Sequence, residues 1–478
     1  MRIVLVHYHL RPGGVTSVVL NQARALAKTG AELLIIAGEA VPPDFGFPFT
    51  LIKDLAYNQT EPALSRTEQA KGVERLAAGI LRAIEERWHG SADIVHVHNP
   101  LIQKNSLLIP ALKLLVGRGV RLFLQNHDLA EDFRPDVYTG DVDYPENCHY
   151  GVINSRDYDC LRRAGLEAEG LHLIPNEVSS MRASPGLERT RYLYPVRAIR
   201  RKNIGEALFL SLFIPKGRTV AITLPPSEKD AAPYRRWHAF AAELGLPVEF
   251  ELGLRYSLAD LLGSSVRALS TSVKEGFGFS FLEPWTAGRG LFGRRVEYVC
   301  ADFERAGVRF DGLYSSLEVP LEYLGGAANN AVSGLEQKME SAMRRIYRSF
   351  ALEAPERVMR ALAEDLRGRE TIDFGRLDEE LQESLIRACH GNPSALRHTT
   401  AINPLLEALG DGQEDEELIE ANRRVIAEQY GSDRIVKLLL KIYQTVLDHQ
   451  VSQRISKSTL LELYLDPLRL SLVGISDG

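Results

Sequence analysis

Two glutamates, Glu275 and Glu283, stand eight positions apart and bracket a glycine-punctuated aromatic run of Gly276, Phe277, Gly278, Phe279, Ser280, Phe281 and Leu282. The apolar segment 266–272 before them has the character of a buried strand, and the residues after Phe279 carry a helical pattern. The spacing predicts a strand, a tight glycine loop and a helix start. Glu275 falls in the loop, and Glu283 about two turns into a helix that begins near Gly276. Backbone N–H groups at a helix start suit an anion. Carboxylates suit hydroxyl groups, which donate to them. A ligand with a diphosphate and several hydroxyls, such as a sugar nucleotide, would use both. A solvated acidic pair beside an ordinary helix start is the plainer reading of the run alone.

Other positions add to this chemistry. Arg197 and Lys202 lie in a basic stretch, 195–203, that closes the first strand of a second half of the chain. Arginine supplies a planar fork and lysine a point charge, which together suit a diphosphate; a solvated basic loop is the alternative. Gly13 and Gly14 sit in the loop after the first strand, where backbone can approach a ligand closely. That loop is neither a dinucleotide fingerprint nor a phosphate loop ending in Gly-Lys-Ser/Thr. His127, followed by Asp128, ends a strand at 122–125. His96 and His98 alternate along another strand, but no carboxylate or cysteine stands at ligand spacing, so no metal site is expected.

The elements that must position these residues alternate from the start. Strands are expected at 2–7, 32–37, 93–97, 120–124, 152–154 and 171–174, with helices at 15–28, 63–88, 107–116 and 157–164 between them. The stretch 178–191 is polar and contains Ser, Pro and Gly, which marks a linker. A second set follows, with strands at 192–196, 219–224, 248–252 and 266–270 and helices after Asn203, at 233–244 and at 258–262. Parallel sheets covered by helices on both faces give this pattern, and two such halves imply a cleft between them. Beyond about 324 the chain turns helical, at 335–349, 354–367, 377–389 and 435–447, and an acidic segment from Gly410 to Glu417 opens a further helix.

Composition removes several function classes. The chain has 478 residues, enough for two or three domains. Its formal charge is −6, from 57 basic and 63 acidic residues, which does not favour nucleic acid as a partner. No apolar run approaches the roughly 20 residues that cross a bilayer. Cys148, Cys160, Cys300 and Cys389 are scattered, so a reduced cytoplasmic setting is expected, with neither zinc nor a disulfide framework. The formal sequon at Asn58 is set aside because no secretion signal precedes it.

Together these features resemble the family-four glycosyltransferases, retaining enzymes of the GT-B fold. The resemblance covers most of residues 1–300. It rests on the Gly13-Gly14 loop, His127-Asp128, Ile174-Pro175-Asn176, Arg197 with Lys202 five residues on, and Glu275 with Glu283. The chain departs from the family pattern at Glu177, where glycine is usual, and at Gly288-Arg289-Gly290-Leu291. Its helical part at 325–410 is longer than the common core.

The resemblance implies two Rossmann-like domains. The first spans 1–185 and is completed by C-terminal helices over 433–478; the second spans 190–432 and binds the nucleoside-diphosphate sugar. Arg197 and Lys202 would neutralise the leaving diphosphate, and Glu275 would contact the donor sugar. Glu283 would accept from ribose hydroxyls. The backbone of Gly276, Phe277, Gly278 and Phe279, and that of Gly13 and Gly14, would approach the donor, and His127 would hydrogen-bond the sugar. No metal or cofactor is implied. Arg134, in the segment after His127, is a candidate reader of a small polar acceptor such as a sugar or sugar acid; a loop salt bridge is the plainer reading. Basic residues around 107–116 leave a lipid acceptor, and with it membrane association, as a less favoured alternative. The rival functions are a GT-B glycoside phosphorylase and a non-catalytic sugar-nucleotide-binding protein. A Rossmann dehydrogenase is set aside because its glycine fingerprint is missing.

Overall fold

The computed structural model describes residues 1–478 except 42–44, 59–63, 325–327, 412–413, 468–469 and 475–478. The chain divides into two compact units. Unit 1 is Met1–Glu177 with Gln429–Leu465, and unit 2 is Val178–Glu428 with Asp466–Gly478.

Unit 1 is built on strands β1 (Arg2–His7), β2 (Glu32–Ala37), β3 (Phe49–Leu51), β4 (Ile94–His98), β5 (Leu122–Asn126), β6 (His149–Val152) and β7 (Leu171–Leu173). They form one parallel sheet in the order β3-β2-β1-β4-β5-β6-β7. Successive side chains of a strand point to opposite faces, and β1 is buried on both. Val4 and Val6 join a core with Leu76, Ile80 and Leu112, whereas Ile3 and Leu5 join one with Val19, Leu26 and Tyr443. A strand covered on both sides must be apolar throughout, which is why β1 carries no polar alternation.

The C-terminal part of the chain helps cover this sheet. Leu439, Ile442, Tyr443 and Val446 of the Ser432–Asp448 helix belong to one core, and Leu460 and Tyr464 of the Lys457–Tyr464 helix to the other.

Unit 2 repeats the plan with β8 (Arg191–Arg197), β9 (Thr219–Leu224), β10 (Val248–Glu249), β11 (Ser265–Ser270), β12 (Leu291–Arg294) and β13 (Leu313–Tyr314). The parallel order is β10-β9-β8-β11-β12-β13. After β13 comes a mainly helical insertion. Two short antiparallel strands, β14 (Glu318–Pro320) and β15 (Thr371–Asp373), flank its first two helices. Its helices are Ala328–Ser349, Glu356–Leu366, Glu379–Cys389 and Pro393–Ile402, with a short one at Glu407–Asp411. Among the described residues no helix is long and apolar enough to cross a membrane.

The order of strands reverses direction between β1 and β4 in unit 1 and between β8 and β11 in unit 2. At such a switch point the loops leaving the strands' carboxyl ends diverge to opposite faces and leave a crevice. In unit 2 those loops carry Lys202 and Glu275.

Several expectations need correction. The first unit ends at Glu177, not 185, because the following segment bonds to unit 2: Ser184 N donates to Ala259 O at 2.9 Å and Ser184 Oγ to Asp260 at 2.7 Å. Residues from Asp466 onward group with unit 2 rather than completing unit 1, and Ser471 Oγ donates to Gly375 O at 2.6 Å. The helix expected from 63 begins at Arg66, where Ser65 and Glu68 form a capping box; Ala63 itself lies outside the described residues, as do 59–60 of the sequon and 412–413 of the acidic segment. The strand expected at 248–252 stops after Glu249, because Glu251 takes a left-handed backbone.

Glu283 does not lie two turns into a helix. A 3-10 turn at Phe279–Phe281 precedes a new four-residue helix, Glu283–Thr286, of which Glu283 is the first residue. Pro284 explains this: it has no N–H and is tolerated only in a helix's first turn, so no helix from Gly276 could run through it.

Candidate active site

The centre of unit 2's switch point is a buried carboxylate held by two cations. Lys202 Nζ donates to Glu275 Oε1, and Arg201 Nη1 donates to Glu275 Oε2 at 3.1 Å. Glu275 is 6% exposed. Burial by itself would raise its pKa, but the charges of Lys202 and Arg201 outweigh that and bring it down to about 2. Burial pulls the Lys202 ammonium in the opposite direction, below its ordinary value, with Glu275 opposing. The cluster sets a lysine and an arginine against one carboxylate, and cations gathered in this way suit an anion.

The local chain explains the placement. β8 ends in a single 3-10 turn, Arg200–Lys202, and Asn203 closes it with a left-handed backbone. Tyr194 Oη donates to Lys202 O at 2.7 Å, Thr271 Oγ1 to the same oxygen at 3.0 Å, and Val273 N to Arg201 O at 3.1 Å. Across from this turn, Tyr298 Oη accepts from Glu275 N at 3.1 Å and donates to Glu275 O. Arg201 and Tyr298 were not among the residues singled out from sequence. Arg201 sits in a run of three cations, and nothing in that run says which of them turns back toward the glutamate.

Glycine is required at position 278 of this loop. Gly278 has φ +85°, and a Cβ there would stand 2.7 Å from Val299 and 2.8 Å from Phe281. Gly276 lies directly after Glu275. Phe277 packs into the core against Phe303, with ring centroids 5.4 Å apart, and Phe279 lies 5.0 Å from Phe277.

Arg197 is not part of the Glu275 cluster. It is exposed, and its guanidinium donates to Pro225 O at 3.1 Å. With Glu283 it lines a cavity of about 210 Å³ whose other walls are largely apolar, among them Val196, Leu224, Leu261 and Pro284. Burial raises the Glu283 pKa. An apolar recess with one carboxylate and one arginine can take a flat ring and a hydroxyl-bearing group together.

This gives a pH prediction. Hydroxyl donors prefer the ionised carboxylate, so a ligand whose hydroxyls bond Glu283 must displace its proton at low pH. Nucleotide affinity should rise with pH through the raised Glu283 pKa and then level off. Titration calorimetry across pH should show this slope in the wild type and a flat profile in Glu283→Gln; a slope unchanged in the variant would contradict the role.

Unit 1 gathers the remaining candidates at its own switch point. His127 is buried, and its Nε2 lies 3.2 Å from His98 Nδ1. Burial lowers the His127 pKa to about 4, with Asp128 opposing, so the ring is neutral at pH 7. Asn99, with a left-handed backbone, accepts from the N–H groups of His127 and Asp128 at 3.1 and 2.9 Å and fixes that turn. Asn99 was missed from sequence, although it directly follows β4. His96 Nδ1 meets Tyr443 Oη at 2.8 Å, and among the described residues no group of three or more His, Cys, Asp or Glu is placed to hold a metal. Arg134 pairs with Asp128 at 2.5 Å and donates to Leu129 O at 3.1 Å, the loop arrangement named as its plainer reading. Gly13 caps the first helix in extended conformation, and a Cβ on Gly14 would meet no atom within 4 Å. Neither packing nor backbone geometry requires glycine at Gly14.

Comparison with known proteins agrees with this arrangement. No known family profile matches the chain. Mannosylglucosyl-3-phosphoglycerate synthase of Petrotoga mobilis is 24% identical over 452 residues, covering 84% of this chain and 83% of that protein. The chain has the two-domain fold of the GT-B glycosyltransferases. Among solved structures, Anabaena HepE in complex with UDP and glucose superposes with a TM-score of 0.56 at 13% identity, covering 92% of this chain and 98% of HepE. A glycosyltransferase from Rickettsia africae also gives 0.56, at 12% identity, covering 94% of this chain and 99% of its own.

Proposed function

We propose that this chain is a glycosyltransferase, a retaining enzyme of family-four type that moves a hexose from a nucleoside-diphosphate sugar to a hydroxyl of a small polar acceptor, a sugar or sugar acid. The Lys202–Glu275–Arg201 cluster carries the reading. Its lysine and arginine would meet the negative charge that a departing diphosphate gathers, and preorganised charge of this kind is often the largest single contribution to catalysis. The fixed cations remove the need for a metal in this reading. Glu275 orients the cations and the donor sugar, and Glu283 accepts from the ribose while its apolar recess takes the base. Arg197 lies at the rim of that recess and adds charge near the nucleotide.

In this reading His127, neutral at pH 7, hydrogen-bonds the transferred sugar, and the Gly13-Gly14 backbone approaches the donor diphosphate or the acceptor. The acceptor oxygen attacks from the face that the diphosphate leaves, and a diphosphate oxygen takes its proton. The product name of the Petrotoga relative supports a small acceptor that bears sugar and acid groups. Arg134 remains our candidate for reading that acid, by exchanging Asp128 for it. Four free, buried cysteines support a cytoplasmic setting.

The stereochemical part is tested by proton NMR of the product formed from an α-linked donor hexose and a glucosylglycerate or phosphoglycerate glycoside. An α-linked product is expected. A β-linked product would show inversion and contradict the same-face reaction.

A further inference from the structure

The turn that carries Arg201 and Lys202 is fastened from behind by the helical insertion. Asn203, the residue after Lys202, is 1% exposed and has φ 51° and ψ 58°. Asparagine tolerates this left-handed geometry better than most residues, but a side-chain anchor is still needed to fix it. Both ends of its amide are used. Asn203 Nδ2 donates to Glu206 Oε2 at 2.7 Å, and Asn203 Oδ1 accepts from Gln382 Nε2 at 2.8 Å.

Gln382 comes from the Glu379–Cys389 helix and is fully buried. The same nitrogen faces Phe374 O at 3.4 Å and Leu377 O at 3.3 Å. Three acceptors surround that end of the amide, so it must be the nitrogen. The sequence makes room for this approach: a Cβ on Gly205 would overlap Gln382 Oε1 and the Trp237 ring. On the other side of the turn, the Arg200 guanidinium forks onto Glu379 at 2.5 and 2.9 Å. Residues 200 and 203 are thus both tied to one helix of the insertion, and the two cations lie between them.

We infer that Gln382 is a positioning residue for sugar transfer, and that the insertion serves to lock the Lys202 turn against its sheet. This rests on the reading of Lys202 as the counter-charge to the leaving diphosphate. The parallel sheet of unit 2 is complete before the insertion begins, so the insertion is not needed to build the sheet itself. Lys202 reaches its place on a flexible four-carbon stem. Its accuracy therefore depends on where the backbone of one short turn is held, and a displacement of about 1 Å at a reacting centre costs about a hundredfold in rate.

The test is a double-mutant cycle in the full chain, using Gln382→Leu, Lys202→Ala and the pair. Release of nucleoside diphosphate is followed from UDP-glucose, GDP-mannose or ADP-glucose, whichever the wild type consumes. Gln382→Leu should lower kcat by about ten- to a hundredfold while leaving KM for the donor within about threefold. In the Lys202→Ala background it should change kcat less than twofold. Asn203→Gly, which keeps the left-handed backbone but removes the anchor, should reproduce the kcat loss if Gln382→Leu fails to fold. Equal losses of kcat in both backgrounds, or a fall in melting temperature with kcat unchanged, would overturn the inference. Wild-type turnover of Lys202→Ala would instead sink the diphosphate reading, and this inference with it.

Discussion

Replacing Lys202 by alanine should lower kcat by about a hundredfold or more. Its ammonium is one of two cations that bond Glu275. A charge-assisted hydrogen bond is worth about 1.5–3 kcal/mol, roughly ten- to a hundredfold in rate. The diphosphate gains charge as the glycosidic bond breaks, so the contact strengthens in the transition state beyond its value in the ground state. The loss should therefore appear mainly in kcat, with KM moving less. Steady-state kinetics would show it. A variant with wild-type turnover, or one that loses only donor affinity, would remove Lys202 from the chemistry. Lys202→Arg should recover only part of the rate, because a planar fork does not replace a compact ammonium in a site that is nearly closed.

Glu275→Ala should have the largest effect on stability. It removes the carboxylate that Lys202, whose side chain is 12% exposed, and Arg201 both bond. Breaking a buried pair by removing one partner costs about 3–5 kcal/mol. The pH dependence has a definite sign. Glu275 has a folded pKa of about 2, below its unfolded value, so ionised Glu275 contributes stability that is present above the unfolded pKa. That contribution is lost as pH falls toward 2. Urea denaturation should show a large gap between wild type and variant at pH 7 that narrows progressively in acid. A gap below about 1 kcal/mol, or one that does not narrow in acid, would show that the carboxylate is not holding the cations. Added nucleoside diphosphate should recover part of the lost stability, because it supplies the missing negative charge.

Much of the scaffold could be read from the chain itself, for reasons visible in particular segments. Residues 3–6 and 33–37 are continuous apolar runs of strand length, and both lie in central parallel strands buried on two faces. The helix at 14–27 showed itself through Val15, Val18, Val19, Ala23 and Leu26 at helical spacing. The short strands Phe49–Leu51, Leu291–Arg294 and Leu313–Tyr314 were not anticipated. Two to four residues carry no period, and these segments become strands only because a neighbouring strand offers its edge.

The candidate site divides in the same way. Lys202 and Glu275 could be paired from their positions after β8 and β11, because a switch point brings those loops together. Arg201 could not be chosen over Arg197 or Arg200 without knowing that Asn203 turns the backbone left-handed. The helix expected to carry Glu283 from Gly276 does not form, and Pro284 signals the fresh helix start that replaces it. The insertion's role was hidden because Gln382 lies 179 residues from Asn203, and a single buried amide leaves no trace in a hydrophobic pattern.

The most direct test is a panel of UDP-, GDP- and ADP-sugars against wild type and Glu275→Ala, following thermal stabilisation and release of free nucleoside diphosphate together. One nucleotide should stabilise both proteins selectively, and slow release of its diphosphate should occur in the wild type and vanish in the variant. Release that persists undiminished in Glu275→Ala, or no response of the wild type to any sugar nucleotide, would contradict the assignment of the Lys202–Glu275–Arg201 cluster as the donor's catalytic site.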